Sequence, residues 1–217
     1  MTVKKNPTAE QLNEFRKLIG LASSDADLDN INAFIEEYDL STQIFEENGK
    51  KGVKDAAGEV LIPAIYDEVC YTFMDFCTPF AVPVIKDGKF AFAAHNGEGT
   101  LVSDFEYDDI VYTPECCYVI VKDGKKGLAD QGGKVMIPAE MDEIYSPFNG
   151  LAAYEKDGKY GFSMVYESLM TEAVYDSHEL GDDDYLEVVK DGVKGYIDAQ
   201  GQFTTDEDER YFSAYCN

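Results

Sequence analysis

Chemistry in this chain would have to be built from two histidines, five cysteines and a large excess of carboxylates. There are 43 Asp and Glu against 18 Lys and Arg in 217 residues, a formal net charge of −25. A nucleophilic mechanism needs a base beside the nucleophile and a third group to orient that base. His95 and His178 are far apart in the chain, and neither lies in a motif of that kind. Zinc needs closely spaced thiolates or imidazoles. Cys70 and Cys77 have six residues between them, Cys116 and Cys117 are adjacent, and Cys216 stands alone. An odd number at irregular spacing suits free thiols in a reducing compartment. The runs Asp182-Asp183-Asp184 and Asp206-Glu207-Asp208-Glu209 do not alternate oxygen ligands around a glycine bend, as a calcium loop does. They read as a solvated loop and tail. Paired carboxylates are too abundant to single out a glycosidase pair. The expectation is a protein that is not an enzyme, with no catalytic residue, no cofactor and no metal site.

The charge balance excludes more than it selects. Nucleic acid and anionic membrane are both polyanions and are disfavoured as partners; a basic protein is favoured. Simple solubility is the other account of the acidity. No stretch approaches the ~18 apolar residues of a membrane-spanning helix. The start, Met1-Thr2-Val3-Lys4-Lys5-Asn6-Pro7, is followed by no apolar segment, which reads as no signal peptide and a cytoplasmic location.

Stepping along the chain, one stretch recurs. Val121-Lys122-Asp123-Gly124-Lys125-Lys126-Gly127-Leu128-Ala129-Asp130 has relatives at Ile85-Lys86-Asp87-Gly88-Lys89, Glu155-Lys156-Asp157-Gly158-Lys159 and Val189-Lys190-Asp191-Gly192-Val193, and a degenerate first copy at Glu47-Asn48-Gly49-Lys50. The turn glycines 49, 88, 124, 158 and 192 are 39, 36, 34 and 34 residues apart. A near-constant period over five copies marks a repeat protein. Asp-Gly and Asn-Gly between period-two apolar runs predict two-residue hairpin turns with positive φ, so the turn aspartates are backbone residues first. These glycines are therefore turn residues and not a phosphate loop. A second turn and third strand follow, as in Asp55-Ala56-Ala57-Gly58 then Val60-Leu61-Ile62-Pro63, and Asp130-Gln131-Gly132-Gly133 then Val135-Met136-Ile137-Pro138. Proline lacks a ladder N–H and is expected to end that strand. The copies at His95-Asn96-Gly97 and Tyr166-Glu167-Ser168 degenerate here. Next comes a Tyr-Asp element, as at Tyr66-Asp67, Tyr107-Asp108, Met141-Asp142 and Tyr175-Asp176.

Residues 8–38 read as two helices. Thr8 caps the first with Gln11 as capping-box partner, and Leu12, Phe15, Leu18 and Ile19 share a face. Leu28, Ile31, Phe34, Ile35 and Tyr38 make the stripe of the second. The pair, residues 1–41, is expected to cap the open end of a β-repeat domain at 42–217, as terminal units of repeat proteins need.

On these residues the unit resembles the tryptophan–glycine β-repeat family of bacterial proteins, whose pattern is Lys-Asp-Gly-Lys-Trp-Gly-Tyr-Ile-Asp, a spacer with Gly, an apolar-Ile-Pro run, then Tyr-Asp. Lys190 to Asp198 and Lys122 to Pro138 match well, and the resemblance spans about 44–205. The Trp position holds Lys51, Phe90, Lys126, Tyr160 and Lys194, so its packing must differ from the family's. The resemblance implies a non-enzymatic repeat scaffold. The expected fold is mainly β: five antiparallel β repeats in an open curved stack, or alternatively a five-bladed propeller-like ring, with an N-terminal helical hairpin. A propeller blade usually takes ~40–45 residues, longer than these copies, which favours the open stack.

Twelve of the 18 basic residues lie within five positions of a turn glycine, a lysine row that suits protection of exposed strand edges. The acids of the longer connections are then the candidate partner-binding set: Glu106, Asp108, Asp109, Glu179, Asp182, Asp183, Asp184 and Glu187, with Tyr185 as an anchor and Tyr107, Tyr112 and Tyr175 nearby. The expected function is protein binding through an acidic face. Its sharpest form is an immunity-type inhibitor of a cationic toxin domain such as a nuclease; the alternative is a small-ligand or glycan-binding module.

Overall fold

A computed structural model of the chain describes residues 4–5, 8, 11, 14–15, 25–38, 41–70, 81–94, 100–113, 117–145, 150–164, 169–180 and 185–211. The protein is mainly β and built of five small antiparallel sheets. It divides into two compact units, Met1–Asp87 with Ala91–Val102, and Gly88–Phe90 with Ser103–Asn217.

In the first unit, Thr8 and Gln11 form the expected capping box. The Gln11 backbone N–H donates to Thr8 Oγ1 at 3.2 Å, and the Thr8 N–H donates to Gln11 Oε1 at 2.9 Å. Gln11, Glu14 and Phe15 are helical, while Leu12, Leu18 and Ile19 lie outside the described residues. The second expected helix is present as α1 (Asp25–Glu37). The buried Phe15 ring stacks on Phe34 with centroids 4.5 Å apart, and Phe34 stacks on Tyr38 at the same distance. The apolar stripes thus meet as aromatic rings. Two sheets follow: β1 (Thr42–Glu47), β2 (Lys50–Asp55) and β3 (Val60–Tyr66) in the order β1-β2-β3, then β4 (Glu68–Val69), β5 (Ala81–Lys86) and β6 (Lys89–Ala94) in the order β4-β5-β6.

The second unit carries three four-stranded sheets. The first is β7 (Asp109–Tyr112), β8 (Tyr118–Lys122), β9 (Lys125–Ala129) and β10 (Val135–Met141). The second is β11 (Glu143–Ile144), β12 (Leu151–Lys156), β13 (Lys159–Met164) and β14 (Leu169–Met170). The third is β15 (Ser177–Leu180), β16 (Leu186–Lys190), β17 (Val193–Ile197) and β18 (Phe203–Thr204), with a 3-10 turn at Glu207–Glu209. Each sheet opens with the short strand that follows a Tyr-Asp element. The core is the inward alternation of these strands: Leu128, Ile137, Phe162, Met164 and Val188 are fully buried. Burying each such side chain contributes about 1.5–3 kcal/mol.

The five hairpins have one geometry. Asn48, Asp87, Asp123, Asp157 and Asp191 have φ of 51–53°, and the glycine after each has φ of 75–77°. Two consecutive positive φ values define the primed turn whose twist matches paired strands, so the turn aspartates are where the chain needs left-handed backbone. The second turns rest on a different aspartate. Asp130 accepts the Gly133 N–H at its carbonyl, and its Oδ1 accepts the N–H groups of Gly132 and Lys134 at 2.8 and 2.9 Å. Asp198 does the same for Gln200 and Gln202, and Asp55 for Glu59.

The prolines do not end their strands. β3 runs through Pro63 and β10 through Pro138. The register jumps from Ile62↔Val53 to Tyr66↔Lys51, and from Ile137↔Leu128 to Met141↔Lys126, so each proline sits in a bulge where no ladder N–H is required. The bulge presses on the partner strand. A Cβ on Gly52 would lie 2.4 Å from the Ile62 carbonyl oxygen, and one on Gly127 would lie 2.5 Å from that of Ile137. Glycine stands at these positions because two backbones cross there.

Candidate functional site

The Tyr-Asp element buries its first residue and exposes its second. The first is core: Tyr66, Tyr107, Met141 and Tyr175 are 2–4% exposed. The aspartate is exposed and joins one hairpin to the next. Asp142 pairs with Lys125 at 2.5 Å through Oδ1, while Oδ2 accepts the N–H of Asp157, in the following turn, at 2.8 Å. Its own N–H donates to the Glu155 carbonyl at 2.8 Å. The constellation recurs. Asp67 pairs with Lys50 and accepts from Asp87; Asp108 pairs with Lys89 at 2.5 Å and accepts from Asp123 at 2.7 Å; Asp176 pairs with Lys159 and accepts from Gly192 at 3.1 Å. The lysine first and the backbone N–H second hold all four carboxyl groups below the usual range, and the aspartate raises Lys50, Lys125 and Lys159 in return. The lysine that opens the second strand of four hairpins is therefore an ion-pair partner, which corrects the reading of the lysine row as edge protection.

The Trp position faces the Tyr-Asp tyrosine or its substitute in four hairpins: Lys51↔Tyr66, Phe90↔Tyr107, Lys126↔Met141 and Tyr160↔Tyr175. Where it is lysine, the residue after the connecting aspartate is glutamate, and the two pair: Lys51 with Glu68 at 2.6 Å, and Lys126 with Glu143. Each lysine holds its glutamate's carboxyl below the usual range. Where it is Phe90 or Tyr160, that residue is Asp109 or Ser177. Lys51 and Lys126 at the Trp position are thus accounted for by a glutamate two strands further along the chain.

Among the described residues, the expected partner-binding set lies in or beside two sheets of the second unit. Glu106 is half-buried and pairs with Lys122 at 2.5 Å. Asp108 is committed to Lys89 and the Asp123 N–H. Asp109 is exposed, and its carboxylate accepts the Ile110 N–H at 2.9 Å. In the other sheet, Glu179 and Glu187 are directly opposed, with Lys194 at 2.5 Å from Glu187 and 3.9 Å from Glu179. Tyr185 lies under the Arg210 guanidinium, 3.9 Å from the ring centroid. Asp182, Asp183 and Asp184 lie outside the described residues, as do His95, Cys77, Cys116 and Cys216. Tyr107 and Tyr175 are core, and Tyr112 packs edge-on to Tyr118 at 5.1 Å.

Two features escaped the sequence reading. The first is an aromatic nest around His178, whose ring lies 4.8, 5.1 and 5.8 Å from those of Tyr160, Tyr145 and Phe162. Burial lowers the His178 pKa below 6.5. Burial first, and then the Tyr160 hydroxyl, push Tyr145 up to about 12. The signal was in the repeat alignment: His178 stands two residues after its aspartate, where Val69, Ile110 and Ile144 are buried aliphatics. The second is an open groove of about 710 Å³. Tyr107, Ile120, Val135 and Pro138 are among its walls, with Lys122, Lys156, Glu106 and Glu140 as charges. Lys156 pairs with Glu140 at 3.3 Å and Lys122 with Glu106, while Asp123, also on its wall, has no ion pair among the described residues. Among the described residues no three His, Cys, Asp or Glu side chains converge to hold a metal ion, and no helix is long and apolar enough to cross a membrane.

Recurring primed hairpins linked by an aspartate define a β-repeat protein. Residues 127–160 match the family model described as WG containing repeat. No curated protein matches the chain. A crystal structure of a eukaryotic initiation factor aligns at 14% identity and a TM-score of 0.38, covering 68% of this chain and 44% of that one. The extracellular domain of a protein described as a hybrid two-component system of B. thetaiotaomicron aligns at 7% identity and a TM-score of 0.27, covering 76% of this chain and 30% of that one. The chain spans less than half the length of either.

Proposed function

We propose that this is a non-enzymatic repeat protein that binds a basic protein through its carboxylate-rich surface. One observation carries the reading. Nine lysines of the repeats are committed internally: Lys50, Lys89, Lys125 and Lys159 to connecting aspartates, and Lys51, Lys122, Lys126, Lys156 and Lys194 to glutamates. The turn aspartates Asp87, Asp123, Asp157 and Asp191, with Asp109, are exposed and carry no ion pair among the described residues. These five carboxylates contribute to the net charge of −25 and are open to an incoming cation. Such a surface accelerates encounter with a basic partner and complements one that itself binds phosphates, so a cationic nuclease-like toxin domain is the sharpest form of the proposal. Asp108 and Glu187, being paired already, contribute less than Asp109 and the turn aspartates.

The test is a pull-down with the tagged full chain, followed by stopped-flow association with the recovered partner over a range of salt. A basic partner whose association rate falls at least tenfold between about 50 and about 500 mM salt is expected. A rate indifferent to salt would sink the electrostatic reading. The groove beside Tyr107 and Pro138 favours a second reading, binding of a small neutral ligand such as a glycan, for which salt-independent, saturable binding is the expected signature.

A further inference from the structure

The first hairpin lacks something that the other four have. β5, β8, β12 and β16 are each covered on their outer edge by the short strand after a Tyr-Asp element: β4, β7, β11 and β15. β1 is the outer strand of its sheet, and among the described residues no strand pairs with that edge. Among the described residues no hydrogen bond, ion pair or ring contact joins α1 to it either. The vacant groups can be named from the repeat. The carbonyls of Ile85, Val121, Glu155 and Val189, three residues before the turn glycine, each accept the connecting aspartate's N–H at 2.7–2.8 Å. The matching residue in β1 is Glu46. The next outward residue, Pro83 in β5 and Ala153 in β12, is buried; its counterpart Ile44 is 47% exposed.

The charge at this edge is reversed. Two residues before the turn glycine the other hairpins carry Lys86, Lys122, Lys156 and Lys190, whereas the first carries Glu47, beside Glu46. An aspartate-bearing strand of the kind that fills the other edges would be repelled here. A second copy of β1 carries no lysine or arginine to set against Glu46 and Glu47. An extended segment with lysine or arginine against the glutamates and an aliphatic residue against Ile44 satisfies backbone, apolar surface and charge together. We propose that the outer edge of β1 docks such a basic–apolar segment of the partner as an added antiparallel strand. This rests on the partner being basic and adds where and in what conformation it binds.

Two synthetic peptides test it against the full chain: acetyl-Thr-Lys-Lys-Thr-Val-Thr-Thr-amide, whose adjacent lysines meet Glu47 and Glu46 when its valine meets Ile44, and its twin with glutamate for each lysine. Binding is measured by calorimetry and mapped by amide NMR. The lysine peptide is expected to bind, to shift the amides of residues 42–48 and to slow exchange at Ile44 and Glu46; the glutamate twin is not. Glu47→Lys, a residue that four other hairpins already carry at this place, keeps the fold and should weaken the lysine peptide roughly tenfold. Binding that maps to the turn aspartates and ignores Glu47→Lys would overturn the edge inference while leaving the acidic-surface reading intact. Failure of the lysine peptide to bind would also overturn it, as would association of the free protein through β1; the pull-down then decides the broader reading by itself.

Discussion

The hairpins at Asp123-Gly124 and Asp157-Gly158 share a backbone and differ in nearly everything hung on it. Both turns have the same φ values, both are held by a connecting aspartate, and both have glycine after the Trp position. In the first, Lys126 at the Trp position reaches Glu143 in a half-exposed ion pair, and Ile144 fills the core beyond. In the second, Tyr160 occupies that position, Ser177 replaces the glutamate, and His178 replaces the isoleucine inside a ring of tyrosines. The repeat conserves its joints and exchanges its fillings in coordinated sets. A mismatch at one position is answered about 17 residues away, because that is the strand the side chain touches.

The glycines should separate the two hairpins most widely. Gly127→Ala drives a Cβ against the Ile137 carbonyl, which belongs to a bulged backbone and cannot swing aside. A loss of about 3 kcal/mol or more in chemical denaturation is expected. Gly161→Ala meets the far end of the Tyr154 ring instead, and the Asp87-Gly88 hairpin carries Ala91 at the corresponding place, so about 1–2 kcal/mol is expected. Equal costs would mean that the crossing backbones are not what selects glycine.

The histidine should separate them next, and by pH. Because burial lowers its pKa, His178 stays neutral in the folded chain after it has begun to protonate in the unfolded one. Its contribution is at its most favourable above the unfolded value near 6.5, and is lost as pH falls below it toward the lowered folded value. Between about pH 7 and about pH 5 the wild type should lose stability that His178→Val retains. Val is the residue that the first hairpin's element already uses, at Val69. Identical pH profiles would place the imidazole in water.

The smallest effect is expected from exchanging the fillings themselves. Lys126→Tyr with Glu143→Ser gives the first hairpin the second's pair at the surface. Half-exposed ion pairs contribute little, so the double variant should lie within about 1 kcal/mol of wild type. Lys126→Tyr alone should be the worse of the two, since it leaves Glu143 without its cation. A single variant as stable as the double one would show that the two positions are uncoupled.

What the sequence disclosed follows from range. Asp-Gly turns act through their own φ angles, so they were legible, as was the Thr8–Gln11 box, whose partners are three residues apart. The aspartates of the Tyr-Asp element were legible as recurrent but not as joints, because their partners, Lys125 and the Asp157 N–H for Asp142, meet only once two strands are in register. Pro138 misled for a related reason: a proline stops a ladder only where an N–H is needed, and the bulge that removes the need is not a local property of Ile-Pro. Of the candidate site, Glu106 lies in a connection as expected, whereas Asp109, Glu179 and Glu187 lie in β7, β15 and β16. That lysines already occupy Glu106 and Glu187 could not be read without the pairing of strands.

The aspartate joint sets the unit in which such a chain can change length. Each joint spans 15–20 residues, ties one turn to the next and asks nothing of turns further away. Duplicating or deleting one whole period therefore leaves every remaining aspartate with a lysine behind it and a turn N–H ahead, whereas an insertion of a few residues within a joint breaks two contacts at once. Descent by recombination between copies, in steps of about 34 residues, is the history this geometry permits most freely.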